Sequence, residues 1–499
     1  MIDLQPHLPI LQVIIPLFGS LVTALTRRGT LAWSITVIVV WTLPVISLAL
    51  LWHVQETGQP ILYKIGNWEA PFGIVYKVDV LSAFMLCLVS TLSAVTIPFA
   101  RKSVASEVDA HQQSWYYTMF LLCLTGLLGI IITGDAFNAF VFMEISSLAM
   151  YVLIAMGRHR RALVASYQYL IMGTIGATLY VIGVGLLYVV TGSLNLDDIA
   201  ARLTSMPNWP MEPILAALGF IFVGLSLKLA LFPLHVWLPN AYTYAPSFAT
   251  VFLAGTATKV AIYLLVRLLF SVFGVALAAD QIPISEILLV LSVAAMFIAS
   301  FVAVFETDAK RMLAYSSVAQ VGYITLGIGL ANAAGLTGSF AHIANHAVIK
   351  TALFLALGAA VYRMGSSQIT DLAGIGRRMP VTMAAFVVAG LGLMGTPGTA
   401  GFISKWYLAL GAIEKGSWAL VFLIVASSLI SVVYIGRLVE MMWLRPTSKA
   451  ALEAREPPAT MLVPLIVLAL ATIYLGFDTR ATADIGNQIA ALLLGGLHK

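Results

Sequence analysis

Residues 213–247 read PILAALGFIFVGLSLKLALFPLHVWLPNAYTYAPS. From Pro213 to Val236 the only fixed charge is Lys228, and the run is long enough to cross a bilayer core, which takes about 20 apolar residues as a helix. Pro233, Pro239 and Pro246 then interrupt Leu231–Ser247. Proline removes a backbone donor and clashes with the preceding turn. Non-helical backbone at membrane depth persists only where it is buried in protein or faces water. The stretch therefore predicts a broken membrane helix with a lysine beside the break.

The rest of the chain has the same character. Of 499 residues, 60% are hydrophobic and 10% charged, against about a quarter charged in soluble domains. Fourteen segments qualify as membrane helices, at about 8–26, 31–53, 79–100, 115–133, 136–156, 163–190, 213–236, 248–270, 284–305, 312–331, 338–362, 380–413, 417–443 and 459–477. The connections are too short for a soluble domain, so residues 1–499 form one all-α polytopic membrane domain. Cys87 and Cys123 lie within apolar runs and read as buried thiols, with no cofactor or cluster expected. Met1 is followed by Asp3 and not by a basic segment, so no removable signal peptide is expected.

Basic residues set the orientation. Loops after odd-numbered spans carry fifteen, among them Arg27, Arg28, Arg101, Arg158, Arg161, Lys310, Arg311, Arg377 and Arg378, whereas the opposite side carries Lys64, Lys77, Arg202, Arg267, Lys415, Arg480 and Lys499. That asymmetry places the first set in the cytoplasm and both termini outside. The net charge of +5 follows from these loops and does not imply nucleic-acid binding.

An internal repeat is also visible. Ile145-Ser-Ser-Leu-Ala149 resembles Tyr315-Ser-Ser-Val-Ala319, Ser166-Tyr167 aligns with Ser339-Phe340, and Arg267-Leu268 with Arg437-Leu438, at offsets of 170 to 173. Five spans separate equivalent points, so the second copy runs inverted, as in transporters. The repeats are expected over about 115–270 and 284–443, flanked by helices over 8–100 and 459–477. A second break, at Pro397 among the glycines of Gly390–Gly401, mirrors the first.

Lys228, Lys259, Lys350, Lys405 and Arg437 remain within spans, with Glu144 the one acidic residue near a span centre. A charge there costs roughly 2.5–3.5 kcal/mol on insertion scales. Glu144 and Lys228 read either as a structural ion pair or as a switch in which the lysine's charge sets proton loading of the carboxylate. Lys228 and Lys405 have snorkelling as the plain alternative, and Lys259 a fixed counter-charge to exposed carbonyls. His342, His346 and Lys350 share one helical face at i, i+4, i+8 and suggest a hydrated relay. No third ligand accompanies the two histidines, so no metal is expected. His235 at the first break is a gate, a relay or a hydrogen-bonded structural group. Arg437 and Glu440, one turn apart near a helix end, read as an interfacial pair. No Walker A loop, nucleotide-binding glycine motif or serine elbow is present, so the chain reads as a transport subunit and not as an enzyme.

The segments Lys228-Leu-Ala-Leu-Phe-Pro-Leu-His-Val-Trp-Leu-Pro-Asn-Ala-Tyr and Thr307-Asp-Ala-Lys-Arg-Met-Leu-Ala-Tyr-Ser-Ser-Val-Ala-Gln-Val-Gly-Tyr, with Gly401-Phe-Ile-Ser-Lys405 and Gly134-Asp-Ala-Phe-Asn-Ala-Phe-Val-Phe-Met-Glu144, resemble the antiporter-like subunits shared by Mrp-type sodium/proton antiporters, respiratory complex I and membrane-bound hydrogenases. The resemblance covers about the third to the thirteenth span. It implies fourteen helices, two inverted five-helix repeats and a proton path through Glu144, Lys228, Lys259 and Lys405, with His342, His346 and Lys350 on the eleventh helix. Lysine at 405 and the absence of a long lateral helix make the D subunit of an Mrp-type antiporter the best resemblance; Gly395-Thr-Pro-Gly-Thr-Ala departs from relatives that carry a second proline there. The implied function is exchange of protons for sodium within a multi-subunit complex of a prokaryotic inner membrane. The alternatives are the pumping module of a redox enzyme and a proton-flux partner of a bicarbonate-uptake system. A passive scaffold does not explain the midspan charges.

Overall fold

In lipid, a backbone amide has no partner but its own helix, and the long apolar runs fold accordingly. The computed structural model describes residues 5–205, 211–274 and 283–495; Lys499 and the extreme termini lie outside that range. Within it, thirteen helices are long and apolar enough to cross a membrane. The first six are Leu8–Leu25, Gly29–Thr57, Val80–Glu107, Gln113–Ile132, Ala136–Ala155 and Arg161–Thr191. Span seven is Met211–Leu229, followed by Trp237–Tyr244, and span eight runs Ser247–Phe273. Spans nine to eleven are Ile284–Phe305, Ala309–Leu330 and Ala333–Met364. Span twelve is split into Pro380–Met394 and Ala400–Glu414, and Trp418–Trp443 and Ala459–Phe477 complete the fourteen.

Two features depart from the purely helical expectation. Ile61–Lys64 and Val75–Val78, rich in β-branched and aromatic residues, pair as an antiparallel hairpin between spans two and three. A further helix, Ile485–Gly495, returns to span eleven, where Asn487 meets the Thr337 hydroxyl at 2.8 Å.

Spans five and ten carry the same contacts at an offset of 173. Each begins at an aspartate N-cap, Asp135 accepting from Asn138 N–H and Asp308 from Arg311 N–H. Each is clasped at that end by a backbone bridge, Ala136 N–H to Leu194 O with Leu196 N–H to Gly134 O, and Ala309 N–H to Ser367 O with Ile369 N–H to Thr307 O. The Ser166 hydroxyl donates to Tyr151 O at 2.6 Å, and that of Ser339 to Ile324 O at 2.7 Å. Spans six and eleven end on Gly192 and Gly365, both left-handed. Five crossings separate the two sets, so they close on opposite membrane faces.

The breaks are alike in backbone and unlike in capping. Ala230 (φ 60°) and Gly395 (φ 83°) both turn left-handed after the last helical residue, and the next N–H reaches back five residues, Leu231 to Ser226 O and Thr396 to Leu391 O. At the first break the Trp237 indole donates to Leu227 O at 2.9 Å. At the second the Lys405 ammonium does this work. Pro239 was expected to break the helix; instead it is the third residue of Trp237–Tyr244, where a helix has no use for the missing N–H. Pro233 and Pro397 do lie in non-helical backbone.

Span eleven is the hub. Gly335 to Ala360 are buried throughout, packed by spans three, eight, ten, twelve and fourteen. Its polar stripe therefore faces protein and not lipid.

Candidate functional site

Spans five and seven bring Glu144 and Lys228 together. The ammonium donates to the Ser147 hydroxyl at 2.8 Å and lies 3.4 Å from Glu144 Oε1. The serine is thus the closer partner, and sequence reasoning passed over it because hydroxyls are common in membrane helices. The lysine side chain is 5% exposed and the glutamate's 24%, so Lys228 does not snorkel, whereas Glu144 reaches the lateral face of the chain. A cavity of about 30 Å³ touches Ser147, Tyr169, Lys228 and Ala257, room for about two waters.

Lys259 lies in span eight beside a third interruption that no proline announces. Thr256, at φ −124° and ψ −60°, divides Ser247–Gly255 from Ala257–Val266. This frees carbonyls, and the Lys259 ammonium donates to that of Ala254. The same logic holds Lys405, whose ammonium donates to Leu393 O at 3.2 Å and Met394 O at 3.0 Å and lies 4.8 Å from the Tyr323 ring. A cation at the negative end of a half-helix is stabilised by its dipole. Close packing makes this reach possible, since a Cβ on Gly401 would lie 1.9 Å from Gly392 O.

Span eleven links these lysines. Lys350, fully buried, donates to Leu313 O at 2.7 Å and to the Ser316 hydroxyl, and its span packs against span eight, which carries Lys259. The His346 ring is 1% exposed, and neither of its nitrogens has a protein partner among the described residues. Most buried polar groups have a protein or water partner, so this ring stands apart. It stacks at 5.9 Å on His342, which spans Gln320 Oε1 at 2.9 Å and Ser404 Oγ at 2.8 Å. Ser404 adjoins Lys405. The arrangement is a row of titratable groups running from Glu144 at one lateral edge through the protein centre to Lys405.

Other sequence readings fare differently. His235 is half-buried between the rings of Phe232 (5.3 Å) and Tyr315 (6.3 Å), with Nδ1 unpartnered among the described residues. Arg437 and Glu440 do not pair. Arg437 donates to Val304 O and Glu306 O, and Glu440 meets Arg445 at 2.7 Å. The arginine side chain reaches the free carbonyls ending span nine, and the glutamate turns toward the surface. Arg267, counted as an outer loop charge, is buried in span eight and holds Asp79 through two bonds of 2.6 and 2.7 Å. Lys310, counted as a cytoplasmic loop charge, is buried in the first turn of span ten. No group of three metal-ligating side chains occurs among the described residues.

The profile of the family described as "NADH:quinone oxidoreductase/Mrp antiporter, TM" matches residues 133–431. The N subunit of NADH-quinone oxidoreductase from Desulforudis audaxviator is 40% identical over 485 residues, covering 94% of this chain and 95% of that one. The D subunit of the Na(+)/H(+) antiporter from Alkalihalophilus pseudofirmus is 29% identical over 489 residues, covering 98% and 97%. A chain of the Mrp complex from Dietzia sp. superimposes with a TM-score of 0.88 at 25% identity, covering 99% of this chain and 98% of that one.

Proposed function

This chain belongs to the NADH:quinone oxidoreductase/Mrp antiporter transmembrane family, and from that premise we propose that it is the proton-translocating subunit of a multi-subunit sodium/proton antiporter. Protons pass along Glu144, Lys228, Lys259, Lys350, His346, His342 and Lys405, with His235 as a gate beside the first break. The observation that carries this reading is the seating of Lys259 and Lys405 on carbonyls freed by helix breaks. There a lysine keeps a partner at bilayer depth beside non-helical backbone, which persists at that depth only where protein buries it or water lines it. Each proton displaces charge along the row, and the inverted halves offer openings on opposite faces. The quarter-exposed Glu144 carboxylate favours a neighbouring subunit on its face, because lipid does not solvate a charge. The excess of basic residues in one set of loops supports reading both termini as outside a prokaryotic inner membrane.

The 40% identity to a chain of NADH-quinone oxidoreductase favours a second reading, in which the same path is driven by redox chemistry in partner chains. Identifying the chains that co-purify separates the two. The path itself is tested by Glu144→Ala and Lys228→Ala in vesicles: each abolishes proton-gradient-coupled cation transport while the complex still assembles. Normal transport by either removes the pair from the mechanism.

A further inference from the structure

The row of buried groups needs a mouth, and the structure holds one candidate that sequence reading overlooked. A cavity of about 770 Å³ opens among the loops that follow spans three, five, seven, nine and eleven. All five lie on the side whose loops carry the basic excess that marks the cytoplasm, though the loop after span seven itself has no lysine or arginine. Its rim includes exposed Arg158, His159, Thr307 and Gln368, and its lining reaches Glu107 and Lys310.

The inner end is a chain of charge-assisted hydrogen bonds. The Glu107 carboxylate accepts from the Ser103 hydroxyl at 2.8 Å and from the N–H and hydroxyl of Ser247 at 2.8 and 3.1 Å. The Lys310 ammonium, 4% exposed, donates to the same Ser247 hydroxyl at 2.9 Å. Ser247 is the first residue of span eight, the span that carries Lys259. Lys310 is the second residue of span ten, and Lys350 is bound to Leu313 O and Ser316 of that same helix. At ~1.5 Å per residue, three and six residues on, those acceptors lie about 5 and 9 Å along the axis from Lys310. No other group on span ten between Lys310 and Ser316 is a lysine, aspartate, glutamate or histidine, and only Arg311, already engaged by Glu306 and Asn240, is charged.

We propose that this cavity is the cytoplasmic intake of the proton path and that Lys310 relays protons from it to Lys350. The step moves one proton inward. The Lys310 ammonium releases it through water or the Ser316 hydroxyl to the Lys350 amine, and the Lys310 amine regains one from cavity water. No other bond changes. Glu107, held by Ser247 at the start of span eight, keeps the Lys310 side chain turned to the cavity floor through the shared Ser247 hydroxyl. The inference rests on the proposed path through Lys350, so the test must separate the two.

The complex is reconstituted with its partner subunits, and the initial rate of cation-driven proton movement is measured. Lys310→Arg keeps the charge and the donor but cannot release a proton at working pH; Lys310→Met removes all three. Both are expected to slow transport at least tenfold with assembly intact, and should Lys310→Met fail to assemble, Lys310→Arg decides. His159→Cys at the rim, treated with a bulky membrane-impermeant maleimide from the cytoplasmic side, is expected to lose transport as labelling completes. Lys449→Cys, exposed on the same face away from the cavity, keeps it. Full transport by Lys310→Arg overturns the relay. Full transport by completely labelled His159→Cys, or labelling only from outside, overturns the intake. Lys350→Met serves as the reference: if it too transports normally, the path itself has failed, and if it is dead while the others are normal, only this inference has.

Discussion

Replacing Gly401 with alanine should uncouple Lys405 from its carbonyls without touching the lysine. The added Cβ would meet Gly392 O at 1.9 Å, whereas real contacts essentially never fall below 3.0 Å. The obstacle is backbone of the preceding half-helix, so the two halves of span twelve must part by about 1.1 Å. The Lys405 ammonium now sits 3.0 and 3.2 Å from Met394 O and Leu393 O, and opening by that much takes at least one contact past hydrogen-bonding range. A hydrogen bond to a charged group contributes about 1.5–3 kcal/mol, which corresponds to roughly a ten- to hundredfold loss in the population that presents Lys405 correctly. The assay is proton-gradient-driven cation uptake into vesicles, normalised to assembled complex, with Gly436→Ala as the control because nothing lies within 4 Å of its added Cβ. Native-rate transport by Gly401→Ala, with Gly436→Ala also native, would refute the claim that the second break functions by seating this lysine.

Two further outcomes concern stability. Asp79→Asn breaks a buried bidentate pair and leaves the Arg267 guanidinium unbalanced, a loss of about 3–5 kcal/mol that should show as a lower melting temperature of the purified complex. Burial pushes the Asp79 carboxyl up, but Arg267, with the Ser82 N–H, outweighs it and holds the group well below the usual carboxylate range. The pair's contribution is thus fully present above about pH 4, the ordinary aspartate value, and is lost as pH falls through the depressed native one. The gap in melting temperature between parent and variant should therefore be constant near neutrality and shrink only under strong acid; a gap that already closes by pH 6 would exclude the pair as its source. Ala230→Gly relieves a left-handed alanine at the first break, worth about 1 kcal/mol, and should raise thermal stability slightly; a fall would mean the alanine methyl contributes more by packing than the backbone loses.

The membrane spans were legible because an apolar run of about 20 residues has few other uses, and Lys228, Lys259, Lys350 and Glu144 stood out against it for the same reason. Ser147 and Gln320 did not, since a hydroxyl or amide is informative only once its partner is known. The interruption at Thr256 carries no proline, so nothing in the sequence announced it. Lys310 was hidden for a different reason. A basic residue at a span boundary ordinarily marks the cytoplasmic side, and the burial of its ammonium against Ser247 of span eight shows only in the fold. Arg437 and Glu440 misled because spacing along a helix makes a pair possible without excluding better acceptors on the neighbouring span.

The matched clasps at Asp135 and Asp308 have a consequence for how the two halves could diverge. Their bridging bonds run between main-chain amides and carbonyls, groups that every residue but proline supplies alike. Side chains around them can therefore differ between the halves while the scaffold stays in register. That freedom let one half end its half-helix on a neutral indole and the other on an ammonium, so a duplicated frame could acquire a direction.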